Sequence, residues 1–247
     1  MLRVFGLMVF AVLAGLGVAF SGLMDGRPVE RLLFVGHSRT YHNNLPELVA
    51  EIADSAGSPV RYEVEMSAGA GADLKKHWQS KQTRDLLNDQ HWDHIIIQPN
   101  IVWYDDDDSS EFMIFGSRFV AESAKHAPTS VVIDWPMKDA FYAEHRWIRA
   151  EHVAKTRADN WRLASRNGAQ TIDVARVWED VSAEPLPFSL YTDDDHPSVQ
   201  GSYLVALAIA AEVANTDLAK VDYVPRGMTD EEGALLRERV QRALAAG

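Results

Sequence analysis

Alternation between short apolar stretches and segments with helical spacing constrains the fold of this chain more than any other feature. Most of the apolar stretches are continuously apolar, as strands buried on both faces are, and the helical segments between them supply the crossovers of a parallel sheet. The sequence therefore predicts an α/β fold. The five predicted strands are Arg31–Gly36, Val60–Met66, His94–Gln98, Thr129–Asp134 and Thr171–Val174.

Helix signals accompany the intervening segments. Asn44 and Pro46 suit the start of a helix, and Gly57 suits its end. Thr229 and Glu232 have the spacing of a capping box for a final helix. The remaining predicted helices cover residues 75–88, 111–126, 139–167 and the apolar run "GSYLVALAIAAEVA". No internal repeat or second composition regime is visible, so one domain over residues 29–247 is expected.

Composition excludes several classes of function. The 247 residues include 24 basic and 36 acidic side chains, a net charge of −12, which argues against nucleic acid or an anionic membrane surface as a partner. The chain has no cysteine, so thiolate nucleophiles, cysteine-ligated zinc and lipoprotein attachment are excluded.

The N-terminal residues 1–28 are predicted to be a targeting segment and a linker. Arg3 precedes an unbroken apolar and glycine run from Val4 to Phe20, with small residues around a cleavage point after Ser21. We expect an export signal peptide, with an uncleaved membrane anchor as the alternative. The protein is thus expected to be periplasmic or extracellular, or to contact a membrane only through this segment.

Chemically useful residues follow the ends of the predicted strands, where open α/β sheets build their sites. Ser38 comes directly after the first strand, in "RLLFVGHSRTY". A serine hydroxyl is a poor nucleophile unless a base takes its proton and a carboxylate orients that base. His196 and Asp193, in "DDDHPS", supply such a pair, because a short loop can return the carboxylate to the far nitrogen of the imidazole.

Two further strand ends carry groups that suit an oxyanion. Gly71, in the turn after the second strand, could present a backbone N–H, and Asn100, after the third, an amide N–H₂. Each of these residues alone is more often ordinary turn chemistry. Their occurrence together, in the order serine, glycine, asparagine and Asp-x-x-His, favours an acyl-transfer site.

Over residues 31–210 the chain resembles the SGNH hydrolase superfamily, also called GDSL-type esterases and lipases. The resemblance lies in four blocks: "VGHS", "GAGADL", "IIIQPN" and "DDDHPS". It implies a flavodoxin-like three-layer α/β/α sandwich and hydrolysis of esters without a metal or other cofactor. The substrate would be a small-molecule or carbohydrate ester, without a defined acyl group or alcohol.

The resemblance also implies roles for particular residues. Ser38 would be the nucleophile, His196 the base and Asp193 its orienting acid, while the N–H of Ser38, the N–H of Gly71 and the Asn100 amide would form the oxyanion hole. Gly71 matches the second block better than Gly69, which stays an alternative. Two positions depart from the family pattern, because His37 and Ile101 stand where the family usually has aspartate.

Rival interpretations use the same residues differently. A fold that has lost turnover could be a glycan-binding module, but an intact nucleophile, base and acid argue against that. A nucleotide-binding protein would need glycines that "GHSRTY" lacks. The acidic run Asp105–Asp108 suits a solvated loop better than a calcium site. The aromatic residues Trp103, Tyr104, Trp135 and Tyr191 are compatible with a substrate cleft and equally with the core.

Overall fold

A single five-stranded sheet forms the centre of the protein. The structure is a computed structural model that describes residues 26–100 and 111–246. All neighbouring strands are parallel, in the order β2-β1-β3-β4-β5. The α/β class and the parallel five-stranded sheet predicted from the sequence are confirmed. The strands are β1 Val29–Gly36, β2 Arg61–Ala68, β3 His94–Ile97, β4 Thr129–Val132 and β5 Gln170–Ile172.

Helices cover both faces of the sheet. Because side chains alternate along a strand, Leu32 and Phe34 of β1 enter one hydrophobic core and Leu33 and Val35 enter the other. The first core is completed by α2 Leu45–Ser55, α8 Val174–Ser182, α9 Val199–Val213 and α10 Asp230–Ala245. The second is completed by α3 Leu74–Gln79, α4 Lys81–Asp89, α5 Glu111–His126 and α7 Arg149–Arg166.

Helix ends agree in part with the sequence signals. Gly57 follows α2 with a φ of +78°, and the Thr229–Glu232 capping box forms at α10, both as predicted. Asn44 occupies the predicted N-cap position of α2 but makes no side-chain capping hydrogen bond, because its own backbone is left-handed. The start of α2 therefore depends on Pro46 in the first turn and on the burial of its apolar face.

Two predicted helices are each divided in the structure. The segment 75–88 forms α3 and α4, because Ser80 leaves the helical conformation and caps α4 through Thr83 N–H. The segment 139–167 forms α6 Asp139–His145 and α7, with Arg146 in the left-handed region between them. A further helix, α8, was not predicted. Its N-cap is Asp173, whose side chain accepts the N–H of Arg176, so β5 ends at Ile172 instead of continuing to Val174.

Part of the sequence prediction lies outside the described residues. This applies to residues 1–25 of the expected targeting segment, to Ile101, to Trp103 and Tyr104, and to the acidic run Asp105–Asp108. In the two described ranges no helix is both long enough and apolar enough to cross a membrane.

Candidate active site

The Ser38 hydroxyl lies just beyond the carboxyl end of β1, at the edge of the sheet where open α/β folds build their sites. Ser38 is the first residue of the short helix α1 Ser38–Tyr41, which closes through Thr40 N–H to the carbonyl of His37 at 3.0 Å. Gly36 leaves room for this tight turn. A Cβ at Gly36 would lie only 2.0 Å from Thr40 Oγ1, so no larger residue fits without displacing the turn.

A buried polar network fixes the turn beneath Ser38. Thr40 Oγ1 donates to Gln98 Oε1, and Gln98 Nε2 donates to Asp134 Oδ1, each at 2.6 Å. The other carboxylate oxygen of Asp134 lies 3.1 Å from His37 Nε2. The ends of β1, β3 and β4 are thus joined by side chains that satisfy one another away from water. His37, directly before the serine, thus has a buried carboxylate partner.

The loop before α9 holds the predicted acid and base. Asp193 Oδ1 accepts the backbone N–H groups of Asp195 at 2.8 Å and His196 at 2.6 Å, while its Oδ2 lies 2.8 Å from His196 Nδ1. Burial disfavours the ionised Asp193 carboxylate, but these N–H groups and the imidazole outweigh it and lower its pKa to about 2. Asp193 is therefore an anion at any ordinary pH and can only accept hydrogen bonds.

The serine and the histidine, 158 positions apart in sequence, meet at hydrogen-bond distance. His196 Nε2 lies 2.9 Å from Ser38 Oγ. Because ionised Asp193 accepts a hydrogen bond from Nδ1–H, the ring proton stays on Nδ1, and Nε2 has a lone pair that can accept from the Ser38 hydroxyl. The three predicted residues form one continuous chain of hydrogen bonds, which suits removal of the serine proton.

Asn43 fastens the acid–base loop to the serine segment. Its Nδ2 donates to the carbonyls of Pro197 and Ser198 and to Ser202 Oγ, at 3.3, 3.1 and 2.9 Å. Asn43 has a φ of +52°, a region that asparagine tolerates better than most residues. These contacts keep the loop in register with the turn that carries Ser38.

Three side chains around the serine and histidine, those of Arg39, Asp195 and His42, were not predicted from the sequence as site residues. Arg39 is buried and donates to Asp195 Oδ1 at 2.5 Å and to the Trp135 carbonyl at 2.7 Å. Burial disfavours its charge, but Asp134 and Asp195 outweigh burial and raise the pKa of Arg39 above its ordinary value. The ring of His42 stacks on that of His196.

Gly71 and Asn100 follow the two strands that flank β1 in the sheet, as the oxyanion prediction requires. Gly71 has a φ of +59°, so the turn after β2 favours glycine there. The Gly69 N–H donates to the Gly36 carbonyl at 3.4 Å. The Gly71 N–H makes no hydrogen bond to a backbone carbonyl of the described residues. This difference favours Gly71 over Gly69 as a donor.

Comparison with known proteins adds evidence on the fold. Neither a protein-family model nor a curated protein sequence matches this chain. Among solved structures, a protein of Slackia heliotrinireducens assigned to the SGNH hydrolases is 24% identical with a TM-score of 0.59, over 74% of this chain and 97% of that one. The chain has the SGNH hydrolase fold. The fold predicted from the four sequence blocks is confirmed.

Two other solved structures share the SGNH hydrolase fold of this chain at lower identity. Axe2, an acetylxylan esterase of Geobacillus stearothermophilus, is 17% identical with a TM-score of 0.55, over 82% of this chain and 99% of its own. Two Axe2 structures described as catalytic mutants replace a histidine and an aspartate three positions before it. A DUF4886 family protein of Bacteroides uniformis is 11% identical with a TM-score of 0.70, over 88% and 95% of the two chains.

The two described aromatic residues that the sequence offered for a substrate cleft, Trp135 and Tyr191, both pack in or against the hydrophobic core. Trp135 is fully buried and stacks on Trp178 with ring centroids 4.9 Å apart, so it belongs to the core. Tyr191 is half-buried, and its hydroxyl donates to the Pro136 carbonyl at 2.5 Å. Across residues 26–100 and 111–246, no three His, Asp or Glu side chains converge as metal ligands would.

Proposed function

We propose that this protein is a serine esterase that hydrolyses carboxylic esters through Ser38, His196 and Asp193. One observation carries the proposal: Ser38 Oγ lies 2.9 Å from His196 Nε2, and the other ring nitrogen contacts Asp193 at 2.8 Å. A hydroxyl with a base, and a base with an orienting anion, is the arrangement that activates serine for acyl transfer.

In the proposed first step, Ser38 Oγ attacks the ester carbonyl carbon while its proton passes to His196 Nε2. The C=O electron pair moves to oxygen and forms an oxyanion. When the tetrahedral intermediate collapses, the bond to the alcohol oxygen breaks, and His196 gives its proton to that departing oxygen. The acyl group remains on Ser38, and the alcohol leaves.

In the second step, water attacks the acyl-enzyme. His196 takes a proton from the water, the carbonyl oxygen again becomes an oxyanion, and collapse breaks the bond to Ser38 Oγ. The proton returns to Oγ, and the carboxylic acid leaves. These steps use only side chains and water, so the proposal includes no metal or cofactor.

The oxyanion in both steps would be held by the N–H of Ser38, the N–H of Gly71 and the side chain of Asn100. Their places at the ends of β1, β2 and β3, three adjacent strands, support this assignment. A donor of this kind typically lowers the barrier by about 2–4 kcal/mol.

O-acetyl groups on carbohydrate are the substrate class we propose first. Support comes from the acetylxylan esterase Axe2, which shares the fold and whose catalytic mutants have the same Asp-to-His spacing as Asp193 and His196. The proposed location, outside the cytoplasm or anchored at a membrane, rests on the apolar run Val4–Phe20 and would give access to such polymers.

The test combines turnover with trapping of the nucleophile. Purified protein is assayed on p-nitrophenyl esters of increasing acyl length and on acetylated xylan, beside Ser38→Ala, His196→Ala and the exposed control Ser165→Ala. A fluorophosphonate should add one phosphonyl group at Ser38, detected by mass spectrometry, and none to Ser38→Ala. Equal turnover by parent and Ser38→Ala would falsify the proposal. Binding of acetylated xylan without any turnover would favour a glycan-binding module.

A further inference from the structure

A second carboxylate lies beside the imidazole of His196, on the side opposite Asp193. Asp195 Oδ2 is 3.7 Å from His196 Nε2, the same nitrogen that faces Ser38 Oγ at 2.9 Å. Asp193 contacts the other ring nitrogen at 2.8 Å. The ring therefore lies between two anions, of which only one is within hydrogen-bond distance.

Arg39 determines where the Asp195 carboxylate lies. Its Nη2 donates to Asp195 Oδ1 at 2.5 Å, while its Nη1 donates to the Trp135 carbonyl at 2.7 Å and lies 3.4 Å from Asp134 Oδ2. The guanidinium also packs over the Trp135 ring, 4.7 Å from the centroid, and the residue is only 1% exposed. A planar group with this many fixed partners cannot follow Asp195 if the loop shifts.

The distance of 3.7 Å matters because protonated His196 must release its proton to an oxygen of the substrate or of Ser38. A carboxylate is a stronger acceptor than a hydroxyl or an ester oxygen. In hydrogen-bond contact with Nε2, Asp195 would turn the N–H away from the reacting oxygens. At 3.7 Å it still stabilises the positive charge of the imidazolium without competing for its hydrogen.

We propose that Asp195 stabilises protonated His196 electrostatically and that Arg39 is a positioning residue that keeps Asp195 out of hydrogen-bond reach of Nε2. The catalytic meaning of this arrangement rests on the proposed function of Ser38 and His196. Among the described residues, the other titratable or charged groups that face Asp195, His196 and Arg39 are Asp193 in the loop, His42 stacked on the ring, Tyr191 near Arg39, and His37 and Asp134 behind Arg39.

The electrostatic part is tested without turnover by NMR titration of the histidine rings. The His196 signal is assigned by its loss in His196→Gln. The parent, Asp195→Asn and Asp194→Asn are then compared, because Asp194 is an exposed neighbour that provides the same charge change. We expect the His196 midpoint to fall by about half a pH unit or more in Asp195→Asn, and by clearly less in Asp194→Asn. Equal midpoints in the two variants would overturn the proposal.

The positioning part is tested by kinetics on a p-nitrophenyl ester. Arg39→Gln should lower kcat by about tenfold or more and move the acidic limb of kcat/KM to higher pH, because Asp195 is released toward Nε2. Adding Asp195→Asn to Arg39→Gln should recover much of kcat, whereas adding Asp194→Asn should not. Loss of kcat that neither addition recovers, in a folded Arg39→Gln protein, contradicts the positioning role.

The two failures are distinguishable. If the parent shows no ester turnover but the NMR midpoints differ as expected, the proposed function fails and the electrostatic role of Asp195 stands. If turnover depends on Ser38 but the midpoints coincide, the esterase stands and the role of Asp195 is wrong. If Arg39→Gln does not fold, the comparison of Asp195→Asn with Asp194→Asn still decides the electrostatic part.

Discussion

The imidazole rings of His42 and His196 lie nearly parallel, with centroids 4.4 Å apart and an interplanar angle of 19°. His42 Nδ1 donates to the Ser38 carbonyl at 3.1 Å, so its ring is fixed to the segment that carries the hydroxyl. One face of the His196 ring, the proposed base, therefore packs against a residue of the same segment that carries Ser38.

Removing this support should reduce turnover more than binding. His42→Ala is expected to lower kcat by about 3- to 10-fold with little change in KM, because a stacked aromatic pair contributes about 0.5–1.5 kcal/mol beyond its buried area. His42→Phe keeps a ring and should stay within about threefold of the parent. Steady-state kinetics on a p-nitrophenyl ester measures both, and an equal loss in Phe and Ala would contradict the stacking role.

Asp193→Asn should lower kcat by about 10³- to 10⁴-fold without unfolding the protein. The amide can donate to His196 Nδ1, which places the ring proton on Nε2 and removes the acceptor for the Ser38 hydroxyl. Asp194→Asn is the matched control and should retain activity. Because the pKa of Asp193 is about 2, its protonation cannot produce a loss of parent activity above about pH 4.

Asn100→Ala should lower kcat by about 10²- to 10³-fold and change KM little, because an oxyanion donor acts mainly in the transition state. Asn88→Ala, on the exposed face of α4, is the control and should leave both constants unchanged. A large rise in KM at constant kcat would instead assign Asn100 to substrate binding.

His77 should make the free energy of unfolding depend on pH. Burial is the main cause that lowers the pKa of His77 to about 4, and nearby His37 lowers it further. The Gly36 carbonyl accepts a hydrogen bond from His77 Nε2 at 2.8 Å, which favours the charged form and opposes this shift. The folded-state pKa lies below the unfolded value, so the unfolded chain binds the proton first as pH falls. Stability should therefore decrease by about 3 kcal/mol between about pH 6.5 and pH 4.

Urea denaturation at several pH values checks this dependence. His77→Gln should flatten the decrease over that window, although it also lowers stability near neutral pH by removing buried contacts. His91→Gln, whose side chain is 79% exposed, is the control and should keep the parent dependence. Unchanged pH dependence in His77→Gln would show that other groups cause it.

Sequence patterns indicated the strands and the candidate residues Ser38, Asp193 and His196 because each of them has a signal in its own short stretch of sequence. The parallel strand order then places the ends of those stretches at one edge of the sheet. Buried parallel strands are continuously apolar, and the Asp-x-x-His loop contains its own hydrogen bonds. The unpredicted helix α8 also had a local signal. Asp173 suits an N-cap, and the apolar residues at 174, 177, 178 and 181 follow helical spacing.

Other features could not be predicted because they depend on contacts distant in sequence. The break at Arg146 contains neither glycine nor proline. Arg39 looks like a helix surface residue, and its partners, the buried Asp134 and the partly exposed Asp195, lie 95 and 156 positions away. No spacing rule connects a residue after β1 with one after β4 until the strand order is known.

One short loop holds Asp193 and His196 together, because the Asp193 carboxylate accepts backbone N–H groups of the same loop. The proposed catalytic groups therefore lie on two structural units: the turn that carries the Ser38 hydroxyl, and the loop that holds Asp193 and His196 together. When the chain folds, these two units have to pack together so that Ser38 Oγ lies 2.9 Å from His196 Nε2. Substitutions in the interface between them are therefore expected to lower the proposed turnover while the hydrogen bonds within each unit stay in place.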